Sequence, residues 1–215
     1  LVALGFLISS TAAVASDEQA LQYLRDSQEL FRAGQYFKSA RYAFSAGEES
    51  EIRKAEAQAW VSASLVEAGL EQSASYFFIQ TLRSGNRDAI KKVLPYTDRV
   101  VRSVGLEFLR PFLVRHTKIE DYPVSQRAFF QYAAARSAWL KVDLSSALTF
   151  LGDVPSSTGR GRMRGELLQL RGTLRAMSGG LAASVQDFRE CVRSVAEGSD
   201  LQNRCIAGQA RALYE

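Results

Sequence analysis

The sequence predicts an all-α chain, an α-solenoid of stacked antiparallel helix pairs. Three observations carry that expectation. Small and apolar residues recur at three- and four-residue steps, which gathers them on one face of a helix. One set of spacings around a helix–turn–helix unit returns several times along the chain. The composition is 47% apolar with four prolines among 215 residues. No run of β-branched residues alternates with polar ones as a half-buried strand would require.

Taken in order, residues 1–15, LVALGFLISSTAAVA, form a short apolar run that ends in Ala13-Val14-Ala15. Such a run closed by A-x-A reads as a secretory signal peptide cut after Ala15. Neither an initiator Met nor a basic segment precedes it, so it reads as a truncated one. The run is shorter than the roughly 20 residues a spanning helix needs. The mature chain is therefore expected to be periplasmic or secreted, with no transmembrane span. Ser16 stands where a lipoprotein would carry cysteine.

Residues 16–215 read as one repeat domain of about four to five helix pairs. In the first pair Leu21, Leu24 and Phe31 share a face, with Ser16 or Asp17 as the helix cap. Gly34 breaks the helix, and Phe37, Ala40 and Phe44 line the second one. The second pair, Ala55 to Leu82, is the most regular. Trp60, Ala63 and Val66 recur on one face, Gly69 turns the chain, and Ala74, Phe77, Phe78 and Leu82 face inward. Arg83-Ser84-Gly85-Asn86 is a helix stop. Residues 87–122 are helical in pattern but irregular, and Pro95, Pro111 and Pro123 are each expected to interrupt. The pattern returns over Ser125 to Pro155 and again over Met163 to Val195, separated by the polar loop Ser156 to Gly161. Arg204 to Glu215 looks like the first helix of a further pair whose second helix is missing, a C-terminal truncation.

The second pair places small Ser62 seven residues before Gly69, Ala74 five after it, and Phe78 four further on. Gly172, Gly179, Ser184 and Phe188 repeat those steps, as do Ala135, Val142, Ala147 and Leu151, with Val142 at the glycine position. The first pair departs by one residue, since Gly34 to Ala40 is six. Ala40, Ala74, Ala147 and Ser184 are separated by 34, 73 and 37 residues. This resembles the tetratricopeptide repeat, which recurs with a period of about 34 residues. The resemblance covers nearly all of the chain after residue 16 and implies a right-handed superhelix. It also implies that the small residue lets the paired helices touch, that the glycine turns the chain, and that the aromatic packs on the next repeat.

The formal charge is +4. Most of the 27 basic residues are Arg, which suits carboxylate or phosphate partners and so an acidic protein or membrane surface; a solvated helical surface is the preferred reading of the excess. Arg160, Arg162 and Arg164, with Arg171 and Arg175 beyond, form the densest cluster. Nucleic acid is not expected as a partner behind a signal peptide. Cys191 and Cys205 lie seven residues either side of Gly198, so antiparallel helices could bring them together. A disulfide is one reading, and two separately buried thiols the other.

Nothing marks a catalytic site. His116, the single histidine, sits in the polar stretch Arg115-His116-Thr117-Lys118 and reads as solvated or capping. With two cysteines, no metal-ligand spacing appears. Glycine-rich phosphate loops and nucleophile elbows are absent from the sequence. No enzyme activity, cofactor or metal is expected.

What the resemblance implies instead is a concave groove lined by the first helix of each pair. By register its candidates are Arg25, Glu29 and Arg32 in the first pair and Ala59, Ala63 and Val66 in the second. Tyr132, Arg136 and Trp139 follow in a later pair, and Gln169 and Thr173 in the last. Aromatic residues and Arg are over-represented at binding hot spots, which singles out Tyr132, Arg136 and Trp139, although Tyr132 and Trp139 also suit an inter-repeat core. The Lys/Asn pattern of chaperone-type carboxylate clamps is missing. The leading expectation is a non-catalytic protein–protein interaction scaffold of the bacterial cell envelope, holding a segment of an envelope protein. The alternatives are the helical domain of a peptidoglycan enzyme whose catalytic domain lies elsewhere, and a purely structural oligomerisation module.

Overall fold

The four tight turns at Gly34, Gly69, Val142 and Gly179 explain most of the architecture. In this computed structural model, which describes residues 2–152 and 161–215 with side chains from Ser16 onward, all four take a positive φ, from 63° to 80°. Each closes with the same two hydrogen bonds. Gly69 N–H donates to the Val66 carbonyl (3.0 Å) and Leu70 N–H to that of Leu65 (2.8 Å). Val142 donates to Trp139 (2.8 Å) and Asp143 to Ala138 (3.1 Å). The Gly34 and Gly179 turns repeat the pattern. This is the Schellman closure, which satisfies the carbonyls a helix end leaves open.

The chain is all-helical, with no strand among the described residues, and its helices pack in adjacent pairs. Its contacts divide it into two units, Leu1–Thr117 and Lys118–Glu215. In the first unit α1 (Val2–Arg32) pairs with α2 (Tyr36–Glu49), and α3 (Lys54–Glu67) with α4 (Glu71–Arg83). The rest of that unit is α5 (Arg87–Val93), a 3-10 turn (Leu94–Tyr96), α6 (Thr97–Val104) and α7 (Leu106–His116). In the second unit α8 (Arg127–Trp139) pairs with α9 (Leu144–Leu151), and α10 (Arg162–Met177) with α11 (Leu181–Ser194). α12 (Asp200–Tyr214) packs on α11 and α10. No helix among the described residues is long and apolar enough to cross a membrane.

Small residues seven before and five after each turn residue oppose one another and let the paired helices touch. Ser62 Oγ donates to the Ala74 carbonyl (3.3 Å), and Ser184 Oγ to that of Gly172 (2.8 Å). In the first pair the equivalent bond runs from Ser27 Oγ to the Ser39 carbonyl (2.9 Å). That corrects the expected register: the inward residues of α2 are Ser39, Ala40, Ala43 and Ala46. Phe37 and Phe44, expected on the inner side, are 65% and 50% exposed. One residue along a helix turns a side chain by about 100°, so taking Ala40 and Phe44 as the anchors moves the face by that angle.

Two further expectations change. Asp17 does not cap a helix, because α1 runs through it; its carboxylate accepts instead from Arg53 (3.1 Å) and Ser50 (2.8 Å). Those donors, Arg53 first, hold its pKa below the ordinary aspartate value. Pro111 does not interrupt α7 but lies inside it; one backbone hydrogen bond is lost and the helix continues. Pro95 and Pro123 do stand at 3-10 turns. The expected loop Ser156 to Gly161 lies outside the described residues up to Arg160.

In the second unit Phe188 of α11 fills the seam between helices. A Cβ on Gly172 would lie 3.0 Å from its ring and one on Gly208 of α12 2.6 Å from it. Glycine at both positions is what lets the aromatic wedge between the first helix of its own pair and the next helix.

Candidate partner-binding surfaces

Tyr132, Arg136 and Trp139 follow one another at four- and three-residue steps, so α8 presents them on one face. All three are half-buried. The Arg136 guanidinium lies 4.5 Å from the centroid of the Trp139 ring, a cation–π distance. Beneath them Tyr132 and Trp139 pack on a core that includes Ala135, Leu167, Leu170 and Leu174. The two aromatics therefore do both things that the sequence allowed: one side seals the core and the other is open. On α10, which packs against α8, Gln169 Nε2 donates to Thr173 Oγ1 (3.2 Å), and Thr173 Oγ1 donates to the Gln169 carbonyl (2.9 Å). Both are half-buried. This unit thus carries an aromatic and guanidinium stripe with a neutral polar pair on the neighbouring helix.

The first unit differs from the expected groove. Arg25, Glu29 and Arg32 are carried by α1, and all three are exposed. Ala59, Ala63 and Val66, expected to line the groove on α3, are 0%, 4% and 0% exposed. α5 packs chiefly on α3, and Ile90 and Val93 of α5 are fully buried, so that stretch of surface is filled by the chain itself. What remains open beside it was not singled out in the sequence as a surface. Trp60 stacks edge-on with Phe31 (5.4 Å), Phe31 with Tyr36 (5.3 Å), and Lys92 of α5 lies 5.4 Å from the Trp60 ring. Lys92 also donates to Glu56. No periodicity could reveal this group, because Lys92 stands two helices further along the chain than Trp60.

The arginine cluster is largely internal. Arg171 is 9% exposed and Asp187 2%. Arg171 grips the Asp187 carboxylate through Nε (3.1 Å) and Nη2 (2.7 Å) and donates Nη1 to the Gly152 carbonyl (2.6 Å). Arg175 donates to the other carboxylate oxygen (2.8 Å). Arg164 pairs with Glu190, while Arg162 (3.7 Å) and Arg204 (3.3 Å) share Glu166. Arg160 lies outside the described residues. Among the described members, Arg164, Arg171 and Arg175 are thus struts to acids on another helix, while Arg162, its side chain 87% exposed, stays at the surface.

Cys191 of α11 and Cys205 of α12 are joined by a disulfide with Cα atoms 6.1 Å apart, and both are fully buried. His116 is half-buried at the end of α7. Burial first, then the charges of Arg115 and Arg83, hold its pKa below the ordinary histidine value. Among the described residues no group of three or more His, Cys, Asp or Glu side chains is placed to hold a metal ion.

Comparison with protein-family models, with curated proteins and with solved structures gives no match for this chain.

Proposed function

We propose that this chain is a non-catalytic interaction scaffold of the bacterial cell envelope, periplasmic or secreted, that binds a segment of a partner protein. In this reading the helix pairs are tetratricopeptide-like repeats of a right-handed superhelix, and their first helices offer the binding face. The observation that carries the reading is the α8 stripe. Arg136 is held over Trp139 at 4.5 Å, and Tyr132 and Trp139 are anchored in the core from one side only. Rigid, half-exposed aromatic and Arg side chains bind at little cost in conformational entropy. Gln169 and Thr173 on the adjoining α10 supply polar contacts. Export is supported by the Ala13-Val14-Ala15 ending of the N-terminal run and by the Cys191–Cys205 disulfide, since such bridges persist in oxidising compartments.

The test is capture from an envelope extract on the immobilised chain, beside a Tyr132/Arg136/Trp139→Ala variant whose fold is checked by circular dichroism. A protein held by the native chain and lost, by roughly tenfold or more, from the folded variant supports the reading. Equal capture by both moves the binding face away from α8. Retention of peptidoglycan sacculi alone overturns the scaffold reading and favours the helical domain of a cell-wall enzyme.

A further inference from the structure

α2 turns four residues inward, and opposite them runs a stripe of Phe37, Arg41, Phe44 and Glu48, all exposed. Phe44 does not stand alone. Its ring meets Phe77 of α4 at 6.3 Å, and Phe77 meets Tyr76 at 5.2 Å, both edge to face. Phe44 is 50% and Tyr76 60% exposed. Three rings therefore form one continuous apolar surface across α2 and α4, with Phe37 farther along the stripe. Grouped exposed aromatics of this kind mark interaction surfaces, whereas scattered ones do not.

The charges on the same helix say what fits there. Lys38 and Arg41 stand in its first half, Glu48 and Glu49 at its end. Lys38, Arg41 and Glu48 form no ion pair among the described residues, whereas Glu51 is taken by Lys54 at 2.6 Å. A helix that is basic at one end and acidic at the other is complementary to itself, but only in antiparallel register. With a two-fold axis between Phe44 and Ser45, Arg41 of one copy faces Glu48 of the second, and Glu48 faces Arg41. The same register brings the two Phe44 rings together at the axis. A parallel register sets like charge on like. An acidic or a basic peptide would match half of the stripe and clash with the other half.

From this we propose that the outer face of α2, with Phe77 and Tyr76 of α4, is an isologous interface on which two copies of this chain pair. The symmetry has a physical consequence: each charge pair occurs twice, so one substitution per chain breaks two contacts. It goes beyond the partner-binding reading above, which rests on α8, and either can fail alone.

The experiment is sedimentation equilibrium of the full chain at low salt over a micromolar range. The native chain forms a dimer. Arg41→Glu alone and Glu48→Arg alone each raise the dissociation constant by roughly tenfold or more, because like charges then face each other twice. The double variant Arg41→Glu/Glu48→Arg restores the dimer. So does mixing the two single variants, which pair with each other more tightly than either pairs with itself. Circular dichroism confirms that each exposed-site variant is folded, and Arg41→Gln, which removes the charge without reversing it, provides a milder second reading. A native chain that stays monomeric throughout overturns the proposal. A dimer indifferent to both single reversals, or a double variant as weak as the singles combined, overturns it equally.

Discussion

The α1/α2 hairpin and the α10/α11 hairpin share a turn and differ in what fills the seam behind it. In the first, three fully buried hydroxyls tie α1, α2 and α3 together. Ser27 and Ser39 each donate to the other's carbonyl (2.9 Å both ways), and Ser64 Oγ lies 2.8 Å from Ser39 Oγ. Each hydroxyl has one proton, so with Ser27 and Ser39 committed to carbonyls, Ser64 is the donor to Ser39. In the second hairpin, Gly172 and Ser184 take the same positions, and the stronger ties sit beside them: Arg171 and Arg175 on Asp187, and the Cys191–Cys205 bridge to α12. One spacing rule thus tolerates two chemistries. The spacing sets how closely the helices approach, and the neighbouring positions set how much it takes to part them.

The contrast breaks first at Asp187. Asp187→Ala leaves Arg171 buried with no countercharge, and losing one partner of a buried pair costs about 3–5 kcal/mol. Urea denaturation monitored by circular dichroism measures the loss. Replacing both partners, Arg171→Met with Asp187→Leu, is expected to cost less than Asp187→Ala alone. If the single variant loses under about 1 kcal/mol, the pair behaves as a surface contact and the contrast disappears.

Next comes the disulfide. Its cysteines are 14 residues apart, and closing a loop of about that length stabilises by roughly 3 kcal/mol. Cys191→Ala/Cys205→Ala should lower the urea midpoint accordingly, and reductant should lower that of the native chain but not of the variant. The serine seam is weaker. Ser39→Ala strands the groups that Ser39 satisfies, at about 1–3 kcal/mol. Ser62→Ala should cost less, since Ser62 makes one bond, of 3.3 Å. Equal losses at Ser39 and Ser62 would mean that the Ser64 link contributes nothing.

The all-helical architecture was legible because each pair carries its instructions in one short helix–turn–helix string. The small residues, the turn residue and the residue that follows lie close together in sequence, and helix periodicity reads such strings well. The one-residue slip in α2 came from the same source. Ser39 and Ala40 are both small, and nothing local says that Ser39 is the one that meets Ser27. The face shared by Tyr132, Arg136 and Trp139 was legible for the same local reason. The filling of the Ala59–Val66 surface by α5 was not, since it depends on how an irregular segment beyond α4 folds back. Nor was the internal use of Arg171, because Asp187 lies on another helix and an Arg-rich sequence offers many candidate pairs.

The smallest expected effect isolates the turn itself. Gly69 and Val142 occupy the same place in the same closure, at φ 80° and 63°. Nothing lies within 4 Å of a Cβ added to Gly69, and Val142 is 84% exposed. Packing is therefore silent at both, and only conformation remains. A side chain in the left-handed region costs roughly 1–2 kcal/mol, and a β-branched one is especially out of place there. Glycine gives back about 0.5–1 kcal/mol through its freer unfolded chain. Val142→Gly should therefore stabilise the protein by about 0.5–1 kcal/mol, a rise of a few degrees in melting temperature for a domain of about 100 residues. Gly69→Val should destabilise by a similar amount. The signs must oppose. If both substitutions destabilise, Val142 contributes something that its exposure hides, and the turn is not interchangeable between the two pairs.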